Sequence, residues 1–134
     1  MSLVVPNNRE AEILGVMLNT ALTLRLYSNN RTPAGTDATV DYTEVAGGGY
    51  VAKALVFANW DITEGGPSIA LYDTMQEWTF TGVTTAPSTI YGYYITRDSD
   101  SKLMWAERFP SGSVPFNPVN GSIIRVIPRI TADS

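Results

Sequence analysis

The side chains able to do chemistry in this chain are its carboxylates, two lysines (Lys53 and Lys102) and its aromatics, because its 134 residues include neither His nor Cys. Without Cys there is no thiol nucleophile, disulfide or thiolate metal site. Without His the usual general base near neutral pH and the commonest zinc ligand are both missing. Serine-hydrolase triads and cysteine-protease dyads are therefore excluded. What remains open to a catalyst is a carboxylate pair of the glycosidase kind, a lysine, or a bound Mg or Ca ion.

The acids group in two loop-like stretches, Asp37, Asp41 and Glu44 in one, Asp61 and Glu64 in the other. No spacing in the sequence makes any two of them converge, and exposed acids are ordinarily a solvated face. Asp98 and Asp100 have the alternate-acid spacing that opens a calcium loop. The motif then fails, with Leu103 where its Gly belongs and Phe109 where its closing Glu belongs. A hairpin turn accounts for Asp98-Ser99-Asp100-Ser101 better. Gly47-Gly48-Gly49 lacks the Lys-Ser/Thr of a phosphate loop and opens no helix. Those glycines are expected to adopt backbone angles closed to other residues or to pack closely beside Tyr50. No metal and no cofactor is expected, and the chain reads as a non-enzyme.

Aromatics are the richer signal. Tyr91, Tyr93 and Tyr94 crowd one strand, opposite a strand carrying Trp105 and Phe109. Such residues serve as cross-strand core pairs or as anchors where subunits meet. Alternation places Tyr91 and Tyr93 on one face and Tyr94 on the other. Tyr91, Tyr93 and Trp105 are therefore the candidate subunit-interface residues.

These residues need a scaffold, and its period is mostly that of β structure. One helix is expected near the N-terminus, capped by Asn7 or Asn8, with Glu10 and Glu12 toward the positive end of its dipole. Its stripe is Ile13, Leu14, Met17 and Leu18, and Asn19-Thr20 ends it. Leu22, Leu24 and Leu26 then alternate with Thr23, Arg25 and Tyr27, a half-buried strand. Further strands are read at 50–57, 69–72, 75–81, 90–96, 102–109 and 122–130. Turn chemistry at 28–30, 32–35, 98–101 and Asn120-Gly121 separates them. In 75–81, Trp78 and Phe80 share one face, and Glu77, Thr79 and Thr81 the other. About seven or eight short strands after one helix predict a mainly β fold, an antiparallel β-sandwich or jelly-roll-like arrangement.

Composition agrees, with 44% apolar and 16% charged residues, enough for a core and too little charge for a disordered chain. The whole of 1–134 is expected to form a single β-rich domain, with 1–7 and 131–134 as flexible arms. No segment approaches the ~20 apolar residues of a membrane span, and the start lacks the pattern of a signal peptide. The net charge of −4, with Arg125 and Arg129 as the closest basic pair, argues against nucleic acid as a partner.

Several blocks in order resemble a family of small tailed-phage virion proteins. They are Leu24-Arg25-Leu26-Tyr27-Ser28-Asn29-Asn30 with Thr32-Pro33, Tyr42-Thr43-Glu44 leading to Gly49-Tyr50, Ile90-Tyr91-Gly92-Tyr93-Tyr94-Ile95-Thr96, and Leu103-Met104-Trp105-Ala106-Glu107-Arg108-Phe109. The resemblance runs from about Asn8 to Thr131, and its motifs mark strands and turns. It implies a virion structural protein, a head decoration or cement subunit. Such a subunit forms a homotrimer on the major capsid protein and is assembled in the host cytoplasm. The alternative is a tail, baseplate or fibre component that binds a host-surface glycan through its aromatics. A carboxylate-dependent glycan hydrolase stands behind both.

Overall fold

The computed structural model describes residues 4–132. It is mainly β, with 35% strand and 16% helix, antiparallel sheets and one helix near the N-terminus, consistent with a β-sandwich. The chain divides into two compact units built from interleaved segments, 1–21, 56–76 and 125–134 in one, 22–55 and 77–124 in the other.

In the first unit one helix packs on a three-stranded antiparallel sheet. Helix α1 runs Asn7–Leu18. Its first free amides turn back to the Pro6 carbonyl, at 2.9 Å from Arg9 and 3.0 Å from Glu10. The expected Asn7 or Asn8 cap is thus replaced by Pro6, which makes no side-chain cap bond. Proline suits this place because its fixed φ leads into the helix and its missing N–H costs nothing there. Asn19 ends the helix as expected, its amide returning to the Val16 carbonyl. Leu14 and Leu18 are buried, whereas Ile13 remains 55% exposed, so the core stripe is narrower than the sequence pattern.

Three strands complete this unit. They are Trp60–Thr63, Ser68–Tyr72 and Arg129–Ala132, in the spatial order just given. The first was not expected. It follows a tight turn at Phe57–Asn59 and has only four residues, too few for alternation to stand out. The stretch read as one strand over 122–130 is two, because Pro128 interrupts the ladder between Val126 and Arg129. Trp60 packs edge-on against Tyr72 at 5.1 Å, and the Tyr72 hydroxyl accepts the Val56 amide at 3.0 Å. Of the expected arms, Asn7 already lies in α1, and Thr131 and Ala132 pair with Ile69 and Ser68. Residues 1–3, 133 and 134 lie outside the described residues.

The second unit is organised on a four-stranded antiparallel sheet. In chain order its strands are β1 (Leu22–Tyr27), β2 (Lys53–Leu55), β6 (Gly92–Arg97) and β7 (Leu103–Arg108), taking the first unit's strands as β3, β4 and β9. Across the sheet they run β2-β1-β6-β7. The expected strand 50–57 shrinks to the three residues of β2. The remaining strands, β5 (Gln76–Thr79) and β8 (Ile123–Val126), pair in a two-stranded ladder.

Alternation divides the four-stranded sheet sharply. Leu22, Leu24, Leu26 and Ile95 are completely buried on one face. On the other, Arg25, Tyr27, Tyr94 and Thr96 sit beneath the long 28–50 connection, with Arg25 Nε bonded to Thr96 Oγ1 at 3.0 Å. In β5, Trp78 and the following Phe80 are buried while Glu77, Thr79 and Thr81 are exposed, as the sequence predicts.

The glycine triplet explains how the 28–50 connection is anchored. Gly47, Gly48 and Gly49 all have left-handed φ, at 74°, 61° and 82°. The Gly48 carbonyl accepts the Thr81 amide at 2.9 Å, and Ala46 accepts from Thr85 at 2.7 Å. A Cβ on Gly48 would lie 2.8 Å from the Gly82 carbonyl oxygen. The backbone angles closed to other residues are therefore found here, and the close packing that the structure shows is against residues 81–85.

Candidate functional site

The densest set of polar and aromatic groups lies on the covered face of the four-stranded sheet. Tyr27, Tyr42 and Tyr94 form a buried cluster with Tyr91, Leu103 and Ala106 packed against it. Tyr42 stacks on Tyr94 at 5.2 Å and meets Tyr27 edge-on at 5.0 Å, the two arrangements that aromatic quadrupoles favour. The Tyr27 hydroxyl donates to the Arg31 carbonyl at 3.0 Å, and the Arg108 guanidinium donates to the same oxygen at 3.1 Å.

Asp37 is the electrostatic centre of the overlying loop. Its side chain is 1% exposed. It accepts a two-pronged guanidinium from Arg31, the Tyr42 hydroxyl at 2.6 Å and the Ala34 amide at 3.1 Å. The Arg31 bond, then the Tyr42 bond, hold its carboxyl well below the usual carboxylate range. The same ion pair raises the Arg31 guanidinium. Burial first, and then the bond to Asp37, lift the Tyr42 hydroxyl well above the ordinary tyrosine range. Burial likewise pushes Tyr27 and Tyr94 each up to about 12. Near neutral pH Tyr27, Tyr42 and Tyr94 are protonated and Asp37 is ionised, a weak base whose oxygens are already taken by Arg31, Tyr42 and Ala34.

The other acids of the loop are similarly engaged. Asp41 lies 3.9 Å from Arg31 and accepts the Ala38 amide at 2.8 Å. Glu44 accepts Arg25 through both oxygens, at 3.0 and 3.1 Å, and the Tyr50 hydroxyl at 2.7 Å. The structure thus brings Asp37 and Asp41 to one arginine rather than to each other across a gap. A glycosidase pair requires the opposite, two carboxyl groups facing a bond with one proton held between roles. Asp61 and Glu64, in the other unit, are exposed, Asp61 opposite Leu71 in the β3–β4 pair. At the hairpin, Asp98 accepts the Thr23 hydroxyl at 2.6 Å. Asp100 accepts Arg97 at 2.5 and 3.1 Å, which lowers its carboxyl to about 2. Among the described residues no three metal-ligating side chains cluster, and no helix is long and apolar enough to cross a membrane.

The three candidate interface aromatics have separate places. Tyr93 is 3% exposed, and its hydroxyl donates to Glu107 at 2.7 Å. It is built into the chain itself. Tyr91 is half-buried under the Arg108 guanidinium at 5.0 Å, and it joins the Tyr94 side of the sheet. Alternation predicted that Tyr91 and Tyr93 share a face. The count slips because Tyr91 precedes the strand, and both Tyr91, by its amide, and Gly92, by its register, are matched to Tyr27. Trp105, half-buried on β7, lines a groove of about 400 Å³ with Pro33, Asp37, Tyr42, Leu103 and Ala106. The Arg31–Asp37–Tyr42 clamp was not expected; its only sequence signal is an Arg and an Asp flanking Thr32-Pro33.

Comparison with family models, with curated proteins and with solved structures gives no match.

Proposed function

We propose that this chain is a non-enzymatic structural subunit of a tailed-phage virion, a decoration or cement subunit that binds the major capsid protein on the outside of the head as a homotrimer. The observation that carries the reading is a contrast between charge and surface. The loop acids are engaged within the chain, while large apolar side chains stand exposed in both units. Ile13 and Val16 are 55% and 79% exposed on α1, and Val40, Val51 and Val83 are 91%, 67% and 66% exposed on the other unit. Ile13 and Val16 line one groove on α1 with Met17, and apolar surface gathered in this way marks sites that meet other proteins. The block-by-block likeness to small virion proteins supplies the biological setting. A purified chain of trimeric mass that binds saturably to mature capsids lacking it is the expected result. A strictly monomeric chain that ignores such capsids at micromolar concentration overturns the proposal.

A second reading, a tail, baseplate or fibre-associated component that binds a host-surface glycan, rests on the groove beside Tyr42 and Trp105. Aromatic faces are the groups that stack on sugar rings, whereas Asp37 is already satisfied within the chain by Arg31, Tyr42 and Ala34. Glycan binding that disappears in Trp105→Ala would favour this reading over the first.

A further inference from the structure

The two edges of the four-stranded sheet are protected unequally. β2 forms one edge with only three residues, and its Lys53 ammonium lies 5.7 Å over the Trp78 ring. Short length and an edge lysine are both devices that discourage further pairing. β7 forms the other edge with six residues, Leu103–Arg108, and contains neither lysine nor proline. The Phe109 amide bonds to the Tyr91 carbonyl at 2.9 Å, and Tyr93 stands opposite Glu107. Antiparallel pairs alternate between bonded and non-bonded, so Ala106 and Arg108 turn their amides and carbonyls away from β6. Among the described residues no strand lies on that side.

A trough accompanies this edge. The groove of about 400 Å³ runs along Leu103, Met104, Trp105 and Ala106. A second of about 350 Å³, lined by Val40, Ser101 and Lys102, adjoins it through the shared Asp37 and Leu103. Its outer wall is the 33–40 stretch, fixed by Asp37 and by the Thr39 hydroxyl, which donates to the Ser101 carbonyl at 2.8 Å.

We propose that the β7 edge is a docking site for an extended segment of a partner polypeptide, which adds to the sheet as a fifth strand. Unpaired amides and carbonyls at strand spacing recognise backbone, not a sugar or an ion, and side-chain pockets beside them give specificity. A second copy fits less well. A two-fold axis at Ala106 would bring two 33–40 walls to the same face of the joined sheet, whereas a single extended segment is slim enough for the trough. The fitting segment carries apolar side chains at alternate positions, against Leu103 and Val40, and an acid toward the exposed Lys102. This goes beyond the virion proposal and does not rest on it.

Amide hydrogen exchange on the free chain is the first arm of the test. Ala106 and Arg108 should exchange at least 100-fold faster than Trp105 and Glu107. In the second arm, a displayed library of random decapeptides is panned on the wild-type chain and on Ala106→Pro. Proline is tolerated where an edge amide faces away from its sheet, so this variant should keep the fold and lose the outward donor. The expected outcome is peptides that bind wild type at least 10-fold tighter than the variant and slow exchange at Ala106 and Arg108. The proposal is overturned if these amides are already protected in the free monomer, or protected only as the concentration rises, which would mean self-pairing. It is equally overturned if no peptide discriminates the two proteins, or if bound peptides leave both amides unchanged.

Discussion

Gly92→Ala is the substitution that tests the packing of the tyrosine cluster most severely. Gly92 opens β6 opposite Arg108, and the ring of Tyr27 lies against its bare Cα. A methyl placed there would meet the Glu107 carbonyl oxygen well inside contact distance and would lie 2.7 Å from both Cε1 and the hydroxyl of Tyr27. The Glu107 oxygen belongs to the ladder and cannot swing aside. Tyr27 is completely buried, with Tyr42 at 5.0 Å and Tyr94 at 6.4 Å. Overpacking of this kind costs about 1–3 kcal/mol. Parting the β6–β7 ladder at this end would forfeit one or two hydrogen bonds at about 1 kcal/mol each. The expected destabilisation is therefore about 2–5 kcal/mol. With a urea slope of about 1–3 kcal/mol/M, the unfolding midpoint should fall by at least about 0.7 M. Gly112→Ala is the control, since a Cβ there meets nothing within 4 Å and its φ is not left-handed. It should leave the midpoint unchanged or raise it slightly, by reducing the entropy of the unfolded chain. If tryptophan fluorescence gives the same midpoint for both variants, the packing described for Tyr27 is wrong.

Three further outcomes follow from the same contacts. Gly48→Ala forces a methyl into φ +61° and to 2.8 Å from the Gly82 carbonyl oxygen, and should cost about 2–4 kcal/mol in thermal unfolding. Tyr50→Phe removes a hydroxyl that donates to Glu44 and accepts the Leu26 amide at 3.2 Å, so a loss of about 1–2 kcal/mol is expected by urea titration. Asp37 and Asp100 both have folded values below the unfolded aspartate value of about 3.9. Their stabilisation is present above that pH and is lost as pH falls through about 2 and below. The melting temperature of wild type should therefore drop steeply between pH 4 and pH 2, and Asp37→Asn, less stable at pH 7, should show a shallower drop.

How much of this was legible depends on the element. Leu22, Leu24 and Leu26 alternate over an unbroken strand, and their full burial follows directly. Trp78 and Phe80 behave alike, and Asp98 to Ser101 form the expected hairpin turn. The short strand Trp60–Thr63 left too few residues for a period to register, and Pro128 was a stop signal inside an apparent run of apolar residues. One residue of slippage at Tyr91 was enough to exchange faces, which no alternation count can foresee. The carboxylates were named from the sequence, but their partners were not. Arg31 reaches Asp37 and Asp41 only because the loop curls over β1 and β6, and that curl depends on the left-handed Gly47–Gly49 stretch docking on 81–85. The two units are interleaved in sequence, so no linker announces them.

Locating the chain in intact phage particles decides whether it is a structural subunit on the capsid exterior. Image reconstruction of particles with and without it should show added density at fixed lattice positions on the outside of the head, in groups of three. Density confined to the tail, or particles that lack the chain altogether, would rule out a decoration subunit of the head.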